Sequence, residues 1–140
     1  MANHSALTEL LNIMQRLRDP NGGCPWDLKQ DFKSIVPHTL EEAYEVADCI
    51  ESGNLSELKN ELGDLLFQIV FYAQLAQEQS LFDFNDVIEQ LNAKLTRRHP
   101  HVFGDKKALN DEQLSAQWQA IKAQERSEKA MSEESLLWQD

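Results

Sequence analysis

Apolar side chains recur at helical spacing along most of the chain, and the breaks between them divide it into five predicted helices. Leu7, Leu10, Leu11, Met14 and Leu17 form one stripe after Ser5, whose hydroxyl suits a cap, so a first amphipathic helix is expected over 5–18. It stops at Asp19-Pro20-Asn21-Gly22-Gly23, a run of turn formers, and the loop goes on through CPWDLKQDFKSIVPHT, too broken for regular structure. A second helix is expected from Thr39, which can cap while Glu42 reaches back from the third helical position. Leu40, Ala43, Tyr44, Ala47 and Ile50 supply its packing stripe. The third runs from Asn54, a cap with Glu57 three residues on, to Gln79. Its apolar residues cover most of the circumference, so protein is expected on nearly all its sides. Asp83 and Asp86 open a fourth helix, with Phe84, Val87, Ile88, Leu91 and Leu95 on its core face, ending at Arg98. A last helix from about Asn110 carries Leu114, Trp118 and Ile121. From Ser127 onward the residues read as a frayed or swapped tail from which Leu136, Leu137 and Trp138 can dock.

The pattern is all-α, and its centre is an acidic hairpin. Counting outward from Gly53 puts Glu45 and Glu61 eight residues away on either side, and Glu42 and Asp64 eleven. In antiparallel helices rising 1.5 Å per residue these acids lie at matching heights, and the spacing of three within each arm puts each pair on one face. Two such charges about 5 Å apart repel by roughly 3 kcal/mol at an effective dielectric of 20. Either a cation sits among them or the acids turn to solvent. For Glu42 a capping role is the competing explanation. Asp64, flanked by leucines in the most apolar helix, would be costly to bury unpaired, and the facing segment offers acids in place of lysine or arginine.

Composition narrows the field. A chain of 140 residues fits one domain, here a core over about 5–104 with a C-terminal helix and tail over about 110–140. A net charge of -11 disfavours non-specific attraction to nucleic acid or an anionic membrane. Cys24 and Cys49 have neither CxxC spacing nor zinc-type histidine partners, which suits a reduced, cytoplasmic setting. No charged-then-apolar leader opens the sequence, and the most apolar run, LLFQIVFYAQLA, is too short to span a bilayer, so a soluble, unexported protein is expected.

An all-carboxylate set lacks the Glu-x-x-His pairs of di-iron bundles and suits a hard cation such as magnesium or manganese, often completed by substrate phosphates. In so acidic a chain, Lys94, Arg97 and Arg98 stand out just before His99-Pro100-His101. They either satisfy helix-end carbonyls or clamp phosphate. Trp118 and Lys122 share a helix face. Trp26 either lids the core or walls a site for a planar ligand.

Glu42-x-x-Glu45, a gap of fifteen residues, then Glu61-x-x-Asp64 resembles the signature of the all-alpha nucleoside triphosphate pyrophosphohydrolases, and of the MazG family in particular. GGCPWD (22–27), TLEEAYE (39–45), ELGDLLFQIVFYAQ (61–74), RRHPHVFG (97–104) and the Trp118–Lys122 segment all resemble MazG blocks. The likeness covers nearly the whole chain and is nearest to the amino-terminal of the two domains that longer members carry. It implies a four-helix-bundle-like fold, an intertwined homodimer, and magnesium-dependent hydrolysis of nucleoside triphosphates to monophosphate and pyrophosphate. It also implies Glu42, Glu45, Glu61 and Asp64 as metal ligands, Glu41 as a further ligand or water-orienting base, and Lys94, Arg98, Trp118 and Lys122 around the substrate with Arg97 as a helper. The competing class is a catalytically weak or inactive module that serves nucleotide binding, dimerisation or a partner.

Overall fold

The computed structural model describes residues 5–104 and 109–137, and these residues are helical with no strand among them. In chain order the helices are α1 (Ala6–Leu17), α2 (Pro25–Leu28), α3 (Phe32–Glu51), α4 (Leu58–Glu78), α5 (Phe84–Arg98), α6 (Pro100–Phe103) and α7 (Asp111–Leu137). No helix among the described residues is long and apolar enough to cross a membrane. The chain divides into two compact units between Val87 and Ile88.

In the first unit α1 begins where expected, with Ser5 Oγ accepting the Thr8 amide at 3.0 Å. The next stretch differs from its reading as broken loop. Pro25 starts the single turn α2, where its missing N–H and fixed φ are harmless. Then α3 starts at Phe32, seven residues before Thr39. The cause is a capping box that the reading missed: Asp31 Oδ1 accepts the Ser34 amide and Ser34 Oγ accepts the Asp31 amide, both at 2.8 Å. Pro37 is carried inside the helix. Thr39, relieved of capping, donates its hydroxyl to Ile35 O and shares a 2.5 Å hydrogen bond with Tyr72.

Helix α3 ends in a Schellman turn. Asn54 N donates to Cys49 O, Gly53 N to Ile50 O, and Gly53 takes φ +76°. Asn54 does not cap α4, because its Oδ1 accepts from Ser56 and the helix begins only at Leu58, with Glu57 giving no side-chain cap bond. The contacts Thr39–Tyr72 and Glu45–Glu61 show that α3 and α4 run antiparallel. Their shared core is Met14, Ile35, Val70, Phe71 and Leu75, with Phe32 stacked on Tyr72 and Phe84 closing one side.

Within one chain α4 is not covered all round. Leu62, Leu66 and Ile69 leave 48, 39 and 42% of their surface exposed, as do Val36, Leu40 and Tyr44 on the outer face of α3. Arg18 fastens the loop to the bundle. Its guanidinium holds both oxygens of Glu78, donates to the carbonyls of Asp27 and Gln30, and lies over the Phe71 ring.

In the second unit, His99 precedes the one-turn α6, and Asn110 and Gln113 cap α7 reciprocally at 2.8 and 3.0 Å. The expected frayed tail from Ser127 is instead continuous helix to Leu137, since the sequence from Ser127 to that point holds no glycine or proline to stop it. Trp138 lies outside the described residues.

Candidate functional site

Glu42 and Glu45 project from α3 and Glu61 from α4, and one oxygen of each lies within 4.8 Å of the others. Because α3 starts at Phe32, capped by Asp31, and not at Thr39, Glu42 is deep in the helix and its capping explanation fails. Oε2 of Glu42 and Oε2 of Glu61 are buried with no hydrogen-bond partner among the described residues. Burial, then the charges of Glu45 and Asp64, a hydrogen-bonding contact with Glu45 and the charge of Glu61 push the Glu42 carboxyl up to about 6. Glu61 is raised as well, first by sharing a hydrogen bond with Glu45, then by burial and the charges of Glu45, Asp64 and Glu57. Two raised carboxyls beside a third acid, with buried oxygens unpaired among the described residues, form a site short of positive charge.

Asp64 stands at the surface, outside this close trio, and reaches it through charge. Glu41 is exposed and outside the trio too. An all-oxygen donor set with two orphaned buried oxygens fits a hard divalent cation. Sequence reading passed over two buried polar groups on the same hairpin. Cys49 is buried and donates its thiol to Asn54 O at 2.8 Å; burial, then the charges of Glu61, Glu57 and Asp48, push that thiol up. Gln68, seven residues after Glu61, is buried with its amide oxygen unpaired. An amide that interrupts an apolar helix face at that interval was the available signal.

The second unit carries a groove of about 670 Å³ whose cations are Lys94, Arg97, Arg98, Lys122, Arg126 and Lys129, against the carboxylates Glu125 and Glu128. Lys94, Arg97, Arg98 and Lys122 were expected to act together and do line one groove. Glu125, Arg126 and Lys129 were missed, although Glu125 follows Trp118 by seven residues, a spacing that keeps to one helix face. Trp118 serves the cations here: Arg98 lies over its ring at 5.1 Å, Lys122 at 6.0 Å, and His99 tilts against it at 5.7 Å. His101 Nδ1 meets Gln117 Nε2 at 3.0 Å.

Trp26, in the first unit, is 48% exposed and edge-on to His38, which leaves part of its ring available as an aromatic surface.

Fold and site together define an all-α protein with an acidic cluster, compatible with a divalent cation, carried on a helical hairpin. Residues 30–103 match the profile of the MazG nucleotide pyrophosphohydrolase domain, and the chain belongs to that family. It is 56% identical over 124 residues to a nucleoside triphosphate pyrophosphohydrolase of Escherichia coli (strain K12), covering 89% of this chain and 47% of that protein. It is 48% identical over the same length to a nucleoside triphosphate pyrophosphohydrolase/pyrophosphatase MazG of Thermotoga maritima, again 89% of this chain and 47% of the other. The chain thus spans about half the length of these curated relatives. Among solved structures, a mazG-related protein from Thermotoga maritima superposes with a TM-score of 0.68 at 28% identity, covering 82% of this chain and 97% of that one.

Proposed function

We propose that the domain hydrolyses nucleoside triphosphates to nucleoside monophosphate and pyrophosphate at the acidic hairpin, with magnesium as cofactor and manganese as a substitute. The observation that carries this reading is the convergence of Glu42, Glu45 and Glu61, with two buried oxygens unpaired, in a chain of this family. Glu42, Glu45, Glu61 and Asp64 hold the metal, Asp64 from the exposed edge. Magnesium, when bound, lowers the pKa of a water and spreads the charge of the phosphates. Glu41 orients the water or adds a ligand. Lys94, Arg98 and Lys122, helped by Arg97, engage phosphate oxygens through charge-assisted hydrogen bonds, while the Trp118 ring underlies Arg98 and Lys122. Trp26 offers the face on which a base stacks, a contact that tolerates any base.

The protein acts as a homodimer in the cytoplasm, with no membrane or stable nucleic-acid partner. Support for the dimer comes from the uncovered apolar faces of α3 and α4, which a second copy can bury. The test incubates purified protein with magnesium and each common ribo- and deoxynucleoside triphosphate, and assays pyrophosphate and orthophosphate separately. Monophosphate with pyrophosphate is expected. Diphosphate with orthophosphate overturns the bond assignment, and tight binding without turnover points to a non-catalytic module.

A further inference from the structure

We propose that Glu125 is a positioning residue, which presets the guanidinium groups of Arg97 and Arg98 so that their free N–H groups meet a polyphosphate. The inference rests on the reading that the groove of the second unit receives phosphate.

The groove gathers six of the chain's cations around two carboxylates, in a protein whose net charge is -11. One of those carboxylates does more than sit there. Glu125 Oε1 accepts from Arg98 Nη2 at 2.6 Å and from Arg98 Nε at 3.1 Å, and Oε2 accepts from Arg97 Nε at 2.8 Å. The side chains of Arg98 and Glu125 are only 21 and 19% exposed. Both arginines are thus gripped along the edge that includes Nε. The end of each fork stays open: Nη1 of Arg97 and Nη1 of Arg98 have no acceptor among the described residues. A guanidinium presents five donors in a rigid plane, so fixing one edge fixes the direction of the rest. Trp118 holds the face of Arg98, leaving that group little freedom.

Glu125 remains charged throughout, because its hydrogen bond from Arg98, then Arg97, outweighs burial and draws its carboxyl down to about 2. Glu128 is the contrast. It lines the same groove, and its recorded bond is an acceptance from Gln124 at 3.2 Å, not from an arginine.

The contrast makes the proposal testable by sign. A carboxylate in an anion-binding groove opposes the ligand by simple charge, so removing one raises affinity. Removing a carboxylate that preorders two arginines lowers it, because both forks must then be ordered on binding, a cost of about ten-fold in affinity. The probe is inorganic tripolyphosphate, titrated calorimetrically without metal into the whole chain and its Glu125→Gln, Glu125→Asp and Glu128→Gln variants, with circular dichroism verifying the helices. The expected results are about ten-fold weaker binding for Glu125→Gln, a smaller loss for Glu125→Asp, which keeps the charge, and tighter binding for Glu128→Gln. Binding by Glu125→Gln as tight as wild type or tighter overturns the proposal, as does a wild type that takes up no tripolyphosphate. If Glu125→Gln loses helix content, Glu125→Asp decides by the same comparison with wild type. None of these readouts depends on turnover, so the hydrolase reading stands or falls separately on its product assay.

Discussion

Glu61→Gln is expected to make the metal-free protein more stable while removing its stabilisation by magnesium. Glu61 places an oxygen within 4.8 Å of oxygens on both Glu42 and Glu45. A pair of unit charges at that distance repels by about 1 kcal/mol in water and by about 3 kcal/mol at an effective dielectric of 20. Glu61 takes part in two such pairs, and solvent screening keeps their sum well below the low-dielectric limit. Neutralising it should therefore relieve about 1–3 kcal/mol near pH 8. The new amide also offers a donor to a carboxylate oxygen that now lacks one. The sign of the pH dependence follows from Glu42, which titrates at about 6 against an ordinary 4.5. Between those values the folded chain keeps a proton that the unfolded chain has released, so the contribution of Glu42 to metal-free stability is fully present below about 4.5 and is lost as pH rises through about 6. The advantage of the variant should accordingly be greatest near pH 8 and shrink below about 6. Urea unfolding followed by circular dichroism at fixed protein concentration, with chelator or with magnesium, measures both effects. A variant less stable than wild type in chelator near pH 8, or one that gains as much from magnesium, would falsify this account of the cluster.

Arg18→Met should cost about 1–2 kcal/mol, since it leaves Glu78 with only Gln74 and takes a donor from the carbonyls of Asp27 and Gln30; a urea midpoint close to wild type would show the clamp to be idle. Arg18 holds Glu78 below the usual carboxylate range, so this contribution is present above about pH 4.5 and is lost as pH falls through the folded-state value. Ser80 closes α4 at φ +58°, a conformation that favours glycine, and Ser80→Gly should raise stability by about 0.5–1 kcal/mol by the same urea assay, with a loss counting against the strain. The uncovered faces of α3 and α4 predict a dimer in sedimentation at low micromolar concentration, and a folded monomer whose melting ignores dilution would sink that expectation.

What was legible in the sequence was whatever depends on neighbours a few residues apart. Ser5, the Asp83–Asp86 box and the turn at Gly53 act through bonds spanning three to five residues, and each sits where the pattern put it. Local reading failed where two local signals competed. Thr39 with Glu42, and Asp31 with Ser34, both offer a cap, and the earlier pair lies in the segment expected as broken loop. A proline on the sixth residue of α3 loses only one early helical bond, whereas Phe32 and Ile35 gain burial beside Tyr72 and Phe71, and packing prevails.

The site divides along the same line. Four acids spaced symmetrically about Gly53 were enough to anticipate a cluster, because an antiparallel hairpin converts sequence symmetry into matching heights. That count was blind to rotation about the helix axis, and rotation is what leaves Asp64 at the surface while Glu61 turns inward. The partnerships of Arg18 with Glu78 and of Arg98 with Glu125, 60 and 27 residues apart, lay wholly beyond a reading of neighbours. Both change what a cation is for. Arg18 is spent on holding the loop before α3. Arg98, read as a free phosphate ligand, arrives already paired, so its use in binding depends on the carboxylate that orients it. A variant series confined to the residues visible in the sequence would therefore attribute to Arg97 and Arg98 an effect that Glu125 helps to set.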